Sequence, residues 1–233
     1  MLKTAVVVGL FAGLLVGGLH NIVTVPVIEE AIALEEAVAL AAGEADGAEP
    51  VVSLGAQRVG LAFGQGIFGV VVGALFAAFT YAARRFVAPD SARLAMIIAG
   101  VVGFWAISLL PALRYPANPP GVGEAVSLAW RQGFQLAFLV LSATASVAYL
   151  VVLSRARAHV VLIAGVSAGY LAIGVLLFSV FPENPDPVHA PADLVREFRI
   201  LTVAGHALLW GLIVVGTVAW SERRQASKAI GAR

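Results

Sequence analysis

The stretch that decides the fold is residues 160–181, which read VVLIAGVSAGYLAIGVLLFSVF and contain no acidic or basic side chain. An α-helix rises about 1.5 Å per residue, so a run of this length crosses a hydrocarbon core about 30 Å thick. Its apolar residues show no period of two, which a membrane β-strand would require. Because backbone groups in lipid must form their hydrogen bonds within the membrane structure itself, the run predicts a transmembrane helix.

Five more runs of similar length are free of Asp, Glu, Lys and Arg: 4–28, 59–83, 94–113, 133–154 and 200–221. Charged residues make up only 12% of the 233-residue chain, against about 25% in soluble domains. We therefore predict an all-α, polytopic membrane protein with six transmembrane helices in a single integral membrane domain, residues 1–233. Residues 29–58 are predicted to form an outer acidic loop. The first run continues to Ile28 without a clear small-x-small cleavage site, so we expect a retained helix and not a signal peptide.

The basic residues outside these runs divide unevenly between the two sides of the membrane. Ten lie on the side of the chain termini: Lys3, Arg84, Arg85, Arg93, Arg155, Arg157, Arg223, Arg224, Lys228 and Arg233. Five lie on the other side: Arg58, Arg114, Arg131, Arg196 and Arg199. Because Lys and Arg are enriched in cytoplasmic loops, we expect a multi-pass protein of the inner (cytoplasmic) membrane with both termini in the cytoplasm.

An internal repeat links the third and fifth runs. Ile98-Ala99-Gly100-Val101 recurs as Ile163-Ala164-Gly165-Val166, and the motif Tyr115-Pro116-Ala117-Asn118-Pro119 recurs as Phe181-Pro182-Glu183-Asn184-Pro185. Each copy leads to an arginine at the head of the next run, Arg131 or Arg199, and Arg58 holds that place in a weaker first copy. We therefore predict three hairpin repeats about an axis along the membrane normal, with residues 115–119 and 181–185, the two Pro-Asn motifs, at equivalent outer corners.

Several function classes are excluded by composition. A net charge of +1 lacks the basic excess that nucleic-acid binding needs, and the absence of cysteine removes thiolate metal sites and thiol nucleophiles. The runs contain no acid, so the paired carboxylates of a membrane hydrolase are missing. The string GQGIFG at 64–69 lies inside a run, where no strand precedes it as nucleotide binding requires. We therefore expect that the protein is not an enzyme and that it holds no tightly bound cofactor.

Five polar residues inside the runs are candidate functional residues: His20, Asn21, Gln65, Gln135 and His206. Each lies within about two turns of the outer end of its run. Because successive helices cross the membrane in opposite directions, all five are predicted to lie at a similar depth in the outer half of the bundle.

The histidines suggest a metal site. His20 and His206 are predicted to face one another as a transient metal-contact layer, because neutral imidazole is a common transition-metal ligand. His189, in a Pro-rich outer segment, is a third candidate ligand. The alternative for each histidine is an interhelical hydrogen bond that fixes packing. Arginines near the outer ends of the runs would repel a cation, so we expect acidic residues to pair with them.

A resemblance to a known family rests on residues 115–123, which read YPANPPGVG. Other segments fit in the same order: Gln57-Arg58-Val59-Gly60-Leu61, Gly103-Phe104 through Pro111, Phe181-Pro182, Phe198-Arg199 and Trp210. In these features the chain resembles the CbtA family of probable cobalt transporter subunits. The resemblance implies an integral membrane component of a cobalt uptake system, linked to cobalamin synthesis, that works with a small, one-helix, His-bearing CbtB-like protein. The metal that this resemblance implies is a transported cobalt ion.

The sequence is also compatible with a second function. Coupled transporters commonly carry acidic residues inside their spans, and these runs have none. The chain is therefore also compatible with a non-transporting membrane scaffold or accessory subunit of a larger complex.

Overall fold

A computed structural model of the protein describes residues 1–43, 53–120, 122, 125–156, 159–186, 188 and 190–231. All regular structure within these residues is helical. The α-helices are α1 (Leu2–Val23), α2 (Val25–Ala42), α3 (Leu54–Phe86), α4 (Ala92–Gly103), α5 (Leu110–Arg114), α6 (Leu128–Ala156), α7 (Val160–Val180) and α8 (Ala192–Gly231). A π-helical turn, Phe104–Leu109, joins α4 to α5, and a short 3₁₀ turn, Ala125–Ser127, precedes α6.

Six helices are long and apolar enough to cross a membrane, which confirms the predicted all-α polytopic fold. They are α1, α3, the continuous unit Ala92–Arg114, α6, α7 and α8. Several helices extend beyond the charge-free runs, because helix formation continues into polar residues at the membrane surface. The side chains of Ser53 and Ser91 cap α3 and α4 by accepting the backbone N–H groups of Ala56 and Leu94.

The segment predicted as an acidic loop, 29–58, is largely helical where the structure describes it. The first span ends at Val23, and a separate helix, α2, covers Val25–Ala42. Pro26 lies in the first turn of α2, where its missing N–H breaks the helical hydrogen-bond series without further cost. Val27 and Ala31 of α2 are buried against Leu194 of α8. The sequence reasoning missed this helix because it read the Glu residues as a loop signal, although Ala, Leu and Glu all favour helix.

Helices α1 and α3 pack at very short range through glycines. A Cβ atom added to Gly9 would lie 2.1 Å from the carbonyl oxygen of Gly69, and one added to Gly13 would lie 2.1 Å from that of Gln65. Small residues therefore let these two backbones meet, as in other membrane helix pairs. Gly165 and Gly169 of α7 have the same four-residue spacing as Gly9 and Gly13, but no neighbouring element lies within 4 Å of the Cβ position of either.

The three-hairpin arrangement is not confirmed. Helix α7 packs against α6, whereas α8, which follows α7 in sequence, packs mainly against α1 and α4. The repeated segments also have different surroundings. Gly100 of α4 accommodates the side chain of Val214, and its counterpart Gly165 faces open space. Similar sequence has thus been placed in two different packing environments.

The bundle has two distinct ends. Residues from the start of α1, from the α3–α4 connection and from 217–225 of α8 meet at one end, here called the terminal end. Both Pro-Asn motifs lie at the other, here called the motif end. Between the ends, Phe76, Trp210 and Ile213 are at most 2% exposed and form part of the central core.

Candidate functional site

A cavity of about 390 Å³ lies at the motif end, between the Ala92–Arg114 unit, α6 and α8. Both Pro-Asn motifs contribute to its wall. Its polar lining residues are Ser108, Asn118, Arg131, Gln135, Asn184, Arg199, Thr202 and His206. Apolar residues, among them Phe68, Ile107 and Leu139, complete the wall. A concave site of this size with a few polar side chains is typical of a small-ligand site.

The two Pro-Asn motifs contact each other directly. Tyr115 ends α5, and its hydroxyl donates a 2.9 Å hydrogen bond to the carbonyl oxygen of Pro182. Burial raises the pKa of the Tyr115 hydroxyl above its ordinary value. Arg114 donates to the carbonyl oxygen of Phe181 and lies 3.4 Å from the Glu183 carboxylate. The two copies of the sequence repeat therefore contact each other through their Pro-Asn motifs.

The arginine that follows each motif bonds to the other copy of the repeat, either within its motif or at the residue just after it. Arg199 donates from Nη2 to Oδ1 of Asn118 at 2.7 Å and from Nε to the carbonyl oxygen of Ala117 at 3.3 Å. Arg131 lies 3.0 Å from the carboxylate of Asp186, the residue just after the second motif. Ser127 bridges this pair, since its hydroxyl bonds to both groups. The exchange holds α6 and α8 around the cavity.

The charges at the motif end are mostly paired. Asp186 is 4% exposed and neutralises Arg131 in the cavity wall, while Glu29 neutralises Arg58 at 2.7 Å near the α1–α2 junction. The expected pairing of arginines with acids is therefore present at Arg58, Arg114 and Arg131. Within the described part of the chain, Arg199 has neutral acceptors and no carboxylate partner.

The structure separates the two membrane histidines into different settings. His206 lines the cavity, and its ring centroid lies 5.3 Å from that of Phe68. His20 is buried and its Nδ1 lies 2.6 Å from the hydroxyl of Thr24. Its ring packs against Gly205, where an added Cβ would lie 2.4 Å from His20 Nε2. His20 therefore reaches the residue next to His206 but is not part of the cavity wall.

Two other residues of the predicted polar set, Asn21 and Gln65, belong to the α1–α3 contact and not to the cavity. Asn21 donates to the carbonyl oxygens of Gly17 and Arg58, both at 3.1 Å. Gln65 packs its Cβ against Gly17. Of the predicted polar set, the structure thus brings Gln135 and His206 to the cavity, together with Tyr115, Asn118, Arg131 and Arg199 of the outer motif.

The described residues offer few side chains that could bind a metal ion together. They contain no group of three or more His, Cys, Asp or Glu side chains close enough to hold an ion. His189 lies outside the described residues. Sequence reasoning missed two participants, Asp186 and Ser108. Asp186 follows the second Pro-Asn motif directly, and this position was a signal that could have identified it. Nothing in the sequence around Ser108 distinguishes it from the other serines.

Packed residues close the cavity toward the terminal end. On α8, His206 lines the cavity while Trp210 and Ile213, one and two turns further, are buried. The indole Nε1 of Trp210 donates a 3.0 Å hydrogen bond to Ser108, and its ring contacts Phe76 edge-on at 6.5 Å between centroids. Trp210, Ile213 and Phe76, here called the plug, separate the cavity from the terminal end.

These features define the class as a polytopic α-helical membrane protein with a polar cavity at one end and a packed core beneath it. Residues 1–221 match the protein family described as Probable cobalt transporter subunit (CbtA). The match spans nearly the whole chain, and the protein belongs to this family. It is accordingly an integral membrane component of the cobalt-transporter type. No curated protein and no solved structure matches the chain.

Proposed function

We propose that the cavity at the motif end is where a cobalt ion enters the protein on its way into the cell. The observation that carries this proposal is the convergence of both Pro-Asn motifs and His206 on one cavity in a member of a cobalt-transporter family. The residues that best match the family resemblance, 115–123, include Asn118, whose side chain lines the cavity.

The cavity suits a hydrated ion. Six water molecules at about 30 Å³ each occupy about 180 Å³, which fits within the cavity of about 390 Å³. Asn184, Gln135 and His206 offer oxygen and nitrogen donors for such an ion. The water shell also separates the ion from the charge of Arg199, which weakens their repulsion. Neutral donors bind weakly enough for the ion to be released, as transport requires.

We include His20 in the proposal as a second imidazole behind the first. It lies against Gly205, immediately before His206 in α8. A small movement of α8 past α1 would bring the ring of His20 toward the position that His206 occupies. Movement is needed in any case, because the plug closes the route to the terminal end.

The proposed orientation places the motif end outside and both termini in the cytoplasm, with the inner membrane as the location. Its support is the excess of Lys and Arg at the terminal end, where Arg84 and Arg224 line the same cavity. The acids that pair with arginines at the motif end then face the outside, where they attract cations.

A small membrane partner with histidines is part of the proposal. The family name describes one component of a multi-component transporter, and two histidines are too few to complete the coordination of a cobalt ion. Helix α7 leaves nearly all of its apolar surface unburied in the single chain, which gives a one-helix partner room to pack.

The packed core favours a second candidate function. In this structure buried side chains lie beneath the cavity, and the spans contain no acid to couple transport to protons. Both features are compatible with a scaffold or accessory protein that assembles a transport complex without carrying the ion.

Cobalt accumulation in intact cells separates the two functions. Cells that express this chain with its candidate partner are compared with cells that lack the chain. Entry through the cavity predicts that His206→Gln lowers cobalt accumulation at an unchanged protein level, because Gln keeps a hydrogen bond and weakens metal ligation. His159→Gln, an exposed histidine at the start of α7, is the control and leaves accumulation unchanged. Normal accumulation in the His206 variant would contradict entry at this site, and normal accumulation without the chain would favour the scaffold.

A further inference from the structure

Two cavities adjoin at the terminal end and share Thr80 and Arg84 in their walls. The smaller, of about 200 Å³, lies between α1, α3, α4 and α8. The larger, of about 700 Å³, is a mainly apolar groove along α3, with Ala74, Ala78 and Tyr81 in its wall. The smaller cavity, here called the chamber, thus continues into the apolar groove along α3.

The smaller cavity carries positive charge. Arg84 enters its wall from α3 and Arg224 enters from α8. Among the described residues neither arginine has an acidic partner, and the nearby Glu222 lies 3.8 Å from Arg93 instead. Two arginines at the wall of one chamber, without an acidic partner in the described part of the chain, favour an anionic ligand, and guanidinium geometry suits phosphate oxygens in particular.

Two buried threonines contribute to the wall of the same chamber. Thr80 and Thr217 line it, each is 1% exposed, and neither hydroxyl has a hydrogen-bond partner. Buried polar groups in proteins nearly always have a partner, and leaving one unpaired is costly. A hydroxyl can donate as well as accept, so an acceptor oxygen of a bound ligand would satisfy either one.

We propose that the terminal end binds an anionic phospholipid. Its phosphate lies between Arg84 and Arg224, its oxygen atoms accept hydrogen bonds from Thr80 and Thr217, and one acyl chain follows the apolar groove past Ala78. A free phosphate ion would satisfy the chamber but leave the groove empty, whereas a phospholipid fills both. This site lies at the end of the bundle opposite the proposed cobalt entry cavity.

Lipid titration of the detergent-purified full chain tests the proposal, with bound lipid counted by native mass spectrometry. Phosphatidylglycerol is expected to bind more tightly than phosphatidylcholine with the same acyl chains. Arg84→Gln should weaken phosphatidylglycerol binding by about fivefold, the effect of one basic residue near an anionic membrane surface. Arg155→Gln removes an exposed arginine at the end of α6, outside both cavities, and should not change binding.

A second pair of variants tests the groove. Ala78 is exposed, so Ala78→Phe fills the groove without disturbing the core and should also weaken binding. Ala168→Phe, on the exposed surface of α7, is its control. Equal affinity for the two lipids, or equal loss in the Arg155 and Arg84 variants, would overturn the proposal. Displacement of phosphatidylglycerol by inorganic phosphate, with no effect of Ala78→Phe, would assign the chamber to a free anion instead.

Discussion

Arg199 of α8 donates a 2.7 Å hydrogen bond to Oδ1 of Asn118, a residue that belongs to the other copy of the internal repeat. The bond joins the helix after the second Pro-Asn motif to the first motif itself. Because both groups line the cavity, the contact fixes the cavity wall at the point where two distant parts of the chain meet.

Removal of either partner of this bond should destabilise the protein. A hydrogen bond to a charged group contributes about 1.5–3 kcal/mol, so Asn118→Ala and Arg199→Ala should each lower the free energy of unfolding by about that amount. The double variant should lose less than the sum of the two, since the same contact is removed twice. Thermal unfolding in detergent measures all three, and Arg196→Ala, an exposed arginine one turn away, is the control. Strict additivity would show that the bond contributes nothing.

The glycine contact between α1 and α3 predicts opposite effects for two similar changes. Gly13→Ala places a methyl group 2.1 Å from the Gln65 carbonyl oxygen and should cost about 1–3 kcal/mol as the helices are forced apart. Gly18→Ala meets no atom within 4 Å and should be neutral or stabilising by up to about 1 kcal/mol, because alanine favours helix over glycine. Melting temperatures of the two variants decide the matter. Equal melting temperatures would mean that α1 and α3 do not meet in this way.

The plug predicts a barrier to reagents from outside. The chain has no cysteine, so Thr217→Cys introduces the only thiol, on the terminal side of the plug. An impermeant thiol reagent applied outside intact cells should leave it unmodified. Addition of Trp210→Ala removes the indole that bonds to Ser108 and should allow modification. Trp220 lies beyond the plug on the same helix, so Trp220→Ala is the control and should not allow modification of the thiol. Modification in this control would show that the barrier lies elsewhere.

The proposed orientation is tested with single cysteines at the two ends. The same reagent should modify Ala190→Cys, close to the second Pro-Asn motif, in intact cells. It should spare Ala226→Cys, near the end of α8, until the cells are permeabilised. Modification of the Ala226 variant in intact cells would reverse the assignment of the two ends.

The transmembrane helices were predictable because lipid imposes one rule on every span. A charge-free run such as 160–181 has no other low-energy environment, so its length and composition are sufficient. The Pro-Asn motifs were predictable for a related reason, since proline is tolerated in the first turn of a helix but ends or kinks a helix at later positions. The prediction that His206 and Gln135 share the outer half of the bundle rests on depth alone, and depth follows directly from position along a span.

The choice of neighbours was not predictable. Lipid tails and apolar side chains are chemically alike, so hydrophobicity does not tell which face of a membrane helix is buried. Gly13 and Gly165 look equivalent in sequence, yet one meets a backbone and the other meets none. For the same reason, sequence reasoning could not show that His20 packs behind Gly205 while His206 faces the cavity.

The π-helical turn at Phe104–Leu109 determines the direction in which the residues after it face around the helix axis. A π turn holds one residue more than an α turn, so Gly100 before it and Tyr115 after it face directions that a regular α-helix of this sequence would not give them. If the turn tightened to α geometry, the following segment would rotate by about 100° about the helix axis. Such a rotation would swing Asn118 away from Arg199 and withdraw the Tyr115 hydroxyl from Pro182. One extra residue in a helix therefore decides whether the two halves of the cavity wall meet.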